Sequence, residues 1–77
     1  MNFGEHVKEL RESQGLFQRQ LAASLEIDTP MFSKIERGER QAKKETVLKI
    51  ASILKVEEKE LITLWLADQI YDVVKDD

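Results

Sequence analysis

A chain of 77 residues can form one small domain, and a domain of this size buries only about 60% of the surface that its unfolded chain exposes. A deep, enclosed active site is therefore not expected. The absence of cysteine excludes disulfide bonds and thiol chemistry and is consistent with an intracellular location. The net charge of −3 argues against a nucleic-acid partner, because such domains usually present a basic surface.

The charges, however, are unevenly distributed along the chain. Residues 1–44 hold eight Lys or Arg against seven Asp or Glu, whereas residues 45–77 hold four against eight. Within residues 34–44, five cations stand against two acidic residues. Because charges are screened over about 8 Å at physiological salt, the local charge decides whether this segment can contact an anion.

The N-terminal part of the chain contains two short predicted helices. Helix one is expected over Phe3–Gln14, with Gly15 as its stop, and helix two over Gln18–Leu25. Their predicted inward-facing residues are Phe3, Val7, Leu10, Leu21, Ala22 and Leu25. A secretory signal is not expected from the residues before them, and no apolar stretch approaches the roughly 18 residues of a membrane span.

A third short helix is predicted immediately after helix two. Asp28 is expected to cap it, Pro30 fits its first turn, and the helix should end near Arg37 because Gly38 follows. With Phe32 and Ile35 facing inward, small polar and cationic residues remain on its outer face. Two short helices with such a face are typical of a DNA-reading motif, because base edges and phosphates require hydrogen-bond donors on a rigid helix.

The C-terminal part contains two further predicted helices. Helix four is expected near Glu45–Leu54, with an apolar stripe formed by Val47, Leu48, Ile50, Ala51 and Leu54. Helix five is expected over residues 57–75 and carries two apolar sets, one of Leu61, Leu64 and Trp65 and one of Ile62, Leu66, Ile70, Val73 and Val74. If the first set closes the core, the second is an exposed patch of the kind that marks an interface. The alternative is that helix five is enclosed on both sides.

The stretches LFQRQLAASLEI, DTPMFSKIERGER and ETVLKIA resemble the phage-repressor-like helix-turn-helix family, of the Cro or xenobiotic-response-element type. Roughly residues 4–66 follow the five-helix layout of that family. The resemblance implies a single all-α, lambda-repressor-like domain over residues 1–77, with the helix-turn-helix at about 18–37 and an extended helix five. It also implies a repressor-type regulator that binds double-stranded DNA as a homodimer, with helix three in the major groove of a two-fold operator.

The same resemblance assigns roles to individual residues. The predicted base-reading residues are Thr29, Pro30, Ser33 and Lys34. The predicted phosphate contacts are Gln18, Arg37, Arg40, Lys43 and Lys44. Arg11 and Glu36 match a structural ion pair that joins helix one to helix three. The candidate dimer interface consists of Ile62, Leu66, Ile70, Val73 and Val74.

Some positions depart from the family pattern. Capping residues are replaced by Phe17, Lys43 and Glu57, and each replacement is expected to cost about 1 kcal/mol. Glu26 and Lys55 occupy turn positions where glycine is typical, at a cost of roughly 1–2 kcal/mol each if they are left-handed. Pro30 offers no side-chain donor to a base edge, so it is expected to contact a thymine methyl instead.

Parts of the sequence are also compatible with functions other than DNA binding. The exposed face of helix three and the cations at Arg40, Lys43 and Lys44 are also compatible with ordinary solvated surfaces. A protein-interaction module, such as an antitoxin-like or accessory subunit that grips a partner through helix five, remains the alternative function. An enzyme, a metal site at His6 and a cofactor are not expected, because the necessary groups are missing from the sequence. A cytoplasmic, nucleoid-associated protein without membrane contact is expected.

Overall fold

The computed structural model describes the backbone of residues 2–75 and the side chains of residues 2–70, and this part of the chain is all-α. Its five helices are α1 (Phe3–Ser13), α2 (Gln18–Leu25), α3 (Thr29–Glu36), α4 (Lys44–Leu54) and α5 (Glu58–Lys75). The five-helix prediction is confirmed, and the helix ends differ from the expected ones by about one residue. Among the described helices, none is both long and apolar enough to span a lipid bilayer.

The starts of the first three helices are explained by local hydrogen bonds. The Asn2 side chain caps α1 by accepting from the Glu5 N–H at 2.9 Å. Asp28 caps α3 as predicted, accepting from the Met31 N–H at 2.7 Å. Phe17 has no capping side chain, but the Phe17 N–H donates to Gln20 Oε1 at 2.7 Å. The missing cap of α2 is therefore partly replaced by a glutamine three residues later.

The two predicted left-handed turns are present. Glu26 ends α2 with a φ of 60°, and Lys55 ends α4 with a φ of 58°. Side chains at such positions are disfavoured by roughly 1–2 kcal/mol relative to glycine. Each turn is closed by a backbone hydrogen bond, from the Ile27 N–H to the Ala22 carbonyl oxygen at 3.0 Å and from the Val56 N–H to the Ala51 carbonyl oxygen at 3.0 Å.

The core lies between all five helices. Phe32, Val47, Ile50 and Leu61 are fully buried in it, and Ala22 is almost completely buried. The other buried apolar residues are Phe3, Val7, Leu21, Leu25, Ile35, Ala42, Ala51 and Leu54. Of the predicted inward-facing residues, Leu10 is only partly buried at the edge of this cluster and Leu48 is also of intermediate exposure.

Gly4 allows α1 to pack directly against the end of α3. A Cβ atom built at this position would lie 2.6 Å from the Ile35 carbonyl oxygen and even closer to that of Glu36. Real Cβ atoms do not approach backbone oxygens so closely, and the backbone of a packed helix end cannot easily move away. Only glycine therefore fits between these two helices at their present separation.

Residues 60–68 of α5 are attached to the rest of the domain by three polar contacts. Asp68 Oδ2 accepts from the Phe3 N–H at 3.0 Å, and Glu60 Oε1 lies 2.9 Å from His6 Nε2. Trp65 Nε1 donates to the Ala42 carbonyl oxygen at 2.7 Å. These contacts join α5 to the start of α1 and to the loop between α3 and α4.

The two apolar sets predicted on α5 are separated less cleanly than expected. Leu61 is buried, and Leu64 and Trp65 pack partly buried against the core, so the first set closes the domain. Ile62 was assigned to the exposed set, but it is also partly buried against the core, because its side chain lies on the edge between the two faces. Leu66 and Ile70 are 47% and 65% exposed. The side chains of Val73 and Val74 lie outside the described residues.

Candidate nucleic-acid interface

The four predicted base-reading residues lie on one side of α3. Thr29, Pro30 and Lys34 are exposed, and Ser33 is partly exposed. They occupy positions i, i+1, i+4 and i+5, which place their side chains along a single stripe of the helix. Phe32 on the opposite side is completely buried, so the core determines which face α3 presents to solvent.

Exposed cations continue this surface beyond the end of α3. Arg37 and Arg40 lie at the exit from the helix, and Lys43 and Lys44 stand at the start of α4. An exposed row of cations beside a polar helix face matches the electrostatic requirement of a phosphate-binding surface. The basic segment seen in the sequence is thus adjacent to α3 in the fold.

A buried hydrogen-bond network holds α3 in place behind this surface. Arg11 on α1 and Glu36 on α3 form two parallel bonds, Nε to Oε2 at 2.7 Å and Nη2 to Oε1 at 3.1 Å. Their side chains are only 8% and 1% exposed. Arg11 Nη1 also donates to the Leu16 carbonyl oxygen at 2.8 Å. The hydrogen bonds that Arg11 donates to Glu36 raise the pKa of its guanidinium, which therefore remains charged.

Gln18, predicted to contact a phosphate, also belongs to this network. Its Nε2 donates to Glu36 Oε1 at 2.8 Å, and the side chain is only partly exposed. Because Glu36 receives bonds from α1 and from α2, a single carboxylate on α3 joins the three helices. The network fixes the angle between α3 and its supporting helices α1 and α2. The structure thus gives Gln18 a contact that the sequence analysis did not assign.

A second arginine–glutamate pair lies on the exposed side of the same helix end. Arg37 Nε lies 2.7 Å from Glu39 Oε2, and Arg37 Nη1 donates to Ser33 Oγ at 2.5 Å. The Arg37 and Glu39 side chains are 53% and 56% exposed. The hydrogen bond and the charge of Arg37 hold the pKa of the Glu39 carboxyl below its ordinary value.

Sequence reasoning missed two residues that matter for this surface. Glu39 was counted only as an acidic residue in a basic segment, although a glycine between an arginine and a glutamate indicates a turn that can bring both side chains to one side. Gly4 was not singled out, although a small residue next to Phe3 on the inward face of a predicted helix indicates close helix packing.

Within the described residues, no group of three potential ligands could hold a metal ion.

The fold and the exposed face of α3 define a helix-turn-helix protein, and comparison with known proteins agrees. The HTH_3 family model, described as helix-turn-helix, matches residues 7–61, which is more than half of the chain. The chain belongs to this family and is a sequence-specific DNA-binding regulator. Members of the family are in general not enzymes.

A solved structure gives a more particular similarity. The chain resembles the restriction-modification controller protein C.AhdI from Aeromonas hydrophila, with 37% sequence identity and a TM-score of 0.71. The match covers 77% of this chain and 89% of the controller protein. A search of curated protein sequences gives no significant match.

Proposed function

We propose that the protein binds operator DNA as a homodimer and inserts α3 into the major groove of each half-site. The observation that carries the proposal is the position of Thr29, Ser33 and Lys34 on the outer face of α3, with Phe32 and Glu36 buried behind them. A dimer of this kind would contact two half-sites whose centres lie about 34–36 Å apart along the duplex.

The proposed base-reading residues would offer different chemistry. Lys34 carries a flexible cation that can reach acceptors of a guanine, and Pro30 offers an apolar surface to a thymine methyl group. Ser33 accepts a hydrogen bond from Arg37, so its own O–H remains available to donate to a base acceptor. Thr29 at the start of the helix combines a hydroxyl and a methyl group.

The proposed phosphate contacts surround this reading face. Arg37, Arg40, Lys43 and Lys44 are exposed next to it, and each contact with a phosphate would release counterions and increase the salt dependence of binding. Gln18 can take part through the remaining N–H of its amide while the other N–H stays on Glu36. The acidic C-terminal half of the chain would lower non-specific affinity.

The proposed dimer contact is the exposed apolar face of α5. Leu66 and Ile70 stand one helical turn apart and are both largely exposed, and Ile62 continues this face toward the core. Burial of such side chains against a second copy would be favourable by about 25 cal/mol for each Å² of apolar surface removed from water. Val73 and Val74 are retained as members of this face from the sequence pattern.

The biological role follows from the similarity to a controller protein. We extend to this chain the role of a transcriptional controller of a restriction-modification system, acting as a repressor on an operator near the regulated genes. The support is the 37% identity over most of the controller protein. Such a regulator would act in the cytoplasm, at the nucleoid, where its DNA partner is found.

The decisive experiment is selection of bound duplexes from a random pool, followed by titration of the winning sequence. We expect a two-fold palindrome, and we expect Lys34→Ala to relax base preference while Arg40→Ala weakens binding to all duplexes alike. Analytical ultracentrifugation should show a dimer that Ile70→Asp converts to a monomer. A pool without enrichment and without salt-dependent binding would contradict the proposal.

A second candidate function uses the same apolar face differently. Leu66 and Ile70 lie beyond residue 61, where the family match ends, and this observation favours a partner that is not shared by the whole family. In this alternative, the protein is an antitoxin-like or accessory subunit, and its helix α5 binds a different protein chain. A protein that is monomeric alone and forms a stable 1:1 hetero-complex would support it over the homodimer.

A further inference from the structure

The end of α3 presents an exposed ion pair within the surface proposed to meet DNA. Gly38, with a φ of +78°, turns the chain so that Arg37 and Glu39 on either side of it can pair. Arg37 also reaches back one turn to Ser33 Oγ. One guanidinium is therefore held by a carboxylate and by a predicted base-reading hydroxyl.

A carboxylate and a DNA phosphate offer a guanidinium the same kind of partner, namely anionic oxygens at hydrogen-bonding distance. Glu39 Oε2 already occupies the Nε–H of Arg37, which is one of the donors that a bidentate phosphate contact uses. A phosphate that takes this donor must displace Glu39. The phosphate therefore gains only the difference between its own bond to Arg37 and the bond that Glu39 loses.

The charge of Glu39 is maintained under ordinary conditions. The hydrogen bond from Arg37 and the nearby charges of Arg37 and Lys34 lower the pKa of its carboxyl, so it is ionised at neutral pH. The Glu39 backbone is also fixed, because its N–H donates to the Lys34 carbonyl oxygen at 2.9 Å. The Glu39 side chain therefore starts from a fixed point beside the cations of the surface.

We propose that Glu39 is an internal competitor of DNA phosphate for Arg37, and that it limits how strongly the protein holds non-operator DNA. The inference rests on the proposed DNA-binding function and adds a residue that opposes it. Non-specific binding is almost entirely electrostatic, so a restrained arginine removes part of the affinity for every duplex. A regulator of this kind spends less time on DNA that does not carry its operator.

The test uses a fluorescent 20-bp duplex of random sequence, the full-length protein and a series of salt concentrations. The variants are Glu39→Gln, Arg37→Ala, the double variant, and Glu45→Gln as the matched control. Glu45 is exposed in the first turn of α4, and its substitution makes the same change in net charge. Since all these side chains are exposed, the variants are expected to fold, and circular dichroism checks that they do.

We expect Glu39→Gln to tighten binding by roughly two- to fivefold near physiological salt, as the strength of an exposed ion pair allows. The slope of log affinity against log salt should steepen by up to about 0.9, the contribution of one additional phosphate contact. Glu45→Gln should have a smaller effect. In the Arg37→Ala background, the gain from Glu39→Gln should fall to that of the control.

Two results would overturn the inference alone. One is an increase in DNA affinity on Glu39→Gln that is no larger than the increase on Glu45→Gln. The other is an increase in affinity that persists in the Arg37→Ala background, which would mean that Glu39 acts by simple charge repulsion. If the wild-type protein binds no duplex in a salt-dependent manner, the proposed function fails and the inference fails with it. The behaviour of the wild-type protein thus separates the two failures.

Discussion

Two arginine–glutamate pairs lie at the same end of α3, with their glutamates three residues apart in sequence, and they differ in burial, geometry and the elements that they join. Arg11 and Glu36 are buried, form two parallel bonds and join α1 to α3. Arg37 and Glu39 are more than half exposed and are separated by a single glycine. Burial therefore decides whether such a pair is structural or exchangeable.

The physical reason is the environment of the charges. A buried pair cannot separate without leaving an unpaired charge in a medium of low dielectric constant, so its geometry is fixed. An exposed pair is surrounded by water and salt, and either partner can exchange it for another ion. The same residue types thus fix α3 on its buried side and, in the proposed function, compete with DNA on its exposed side.

The largest expected effect is the loss of the buried pair. Arg11→Ala leaves Glu36 buried with only the amide of Gln18 as a side-chain partner, which should lower the free energy of unfolding by about 3–5 kcal/mol. Urea denaturation followed by circular dichroism measures this change. Arg37→Ala is the matched control and should barely change stability. Equal effects of the two substitutions would contradict the distinction between the pairs.

Gly4→Ala tests whether the buried pair depends on the close approach of α1 and α3. The new methyl group would meet the carbonyl oxygens of Ile35 and Glu36, so the helices must separate at a cost of roughly 1–3 kcal/mol. Exposed Ser52→Ala on α4 serves as a control and should barely change stability. An unchanged stability for Gly4→Ala would show that the contact can relax.

Gln18→Ala separates the structural role of this residue from its proposed phosphate contact. Removal of one hydrogen bond to Glu36 should lower the unfolding free energy by about 0.5–1.5 kcal/mol. Exposed Gln41→Ala is the control. DNA titration well below the unfolding temperature then shows whether affinity falls as well. A stability loss with unchanged affinity would assign Gln18 to the buried network alone.

Local chemistry explains which parts of the structure could be predicted. The spacing of apolar residues predicted the five helices, Asp28 predicted the start of α3, and Gly15 and Gly38 predicted two helix ends. These predictions were possible because each signal depends on residues only a few positions apart. The Arg11–Glu36 pair came from the family resemblance rather than from spacing. It spans 25 positions, and no local rule joins two residues so far apart.

The contacts that were missed depend on tertiary packing or on side-chain choice. Gly4 meets the end of α3 only after both helices have packed, and Asp68 reaches the start of α1 across 65 positions. Gln18 was predicted only as a phosphate contact, because its hydrogen bond to Glu36 depends on how α2 packs beside α3. The pairing of Glu39 with Arg37 is local and could have been predicted from the sequence. It was missed because the segment was described only by its excess of cations.

The smallest expected effect is the pH dependence of the exposed pair. Because Arg37 lowers the pKa of Glu39 in the folded state, the pair contributes stability above the unfolded carboxyl pKa, whose ordinary value is 4.5. That contribution is lost as the pH falls through the lower, folded-state pKa. The difference between the wild type and Glu39→Gln in the urea concentration at the midpoint of unfolding should therefore be small and constant near pH 7. It should disappear in acid. Other carboxylates titrate in both proteins and cancel in this difference, so a gap that grows toward low pH would mean that Glu39 is not paired with Arg37 in solution.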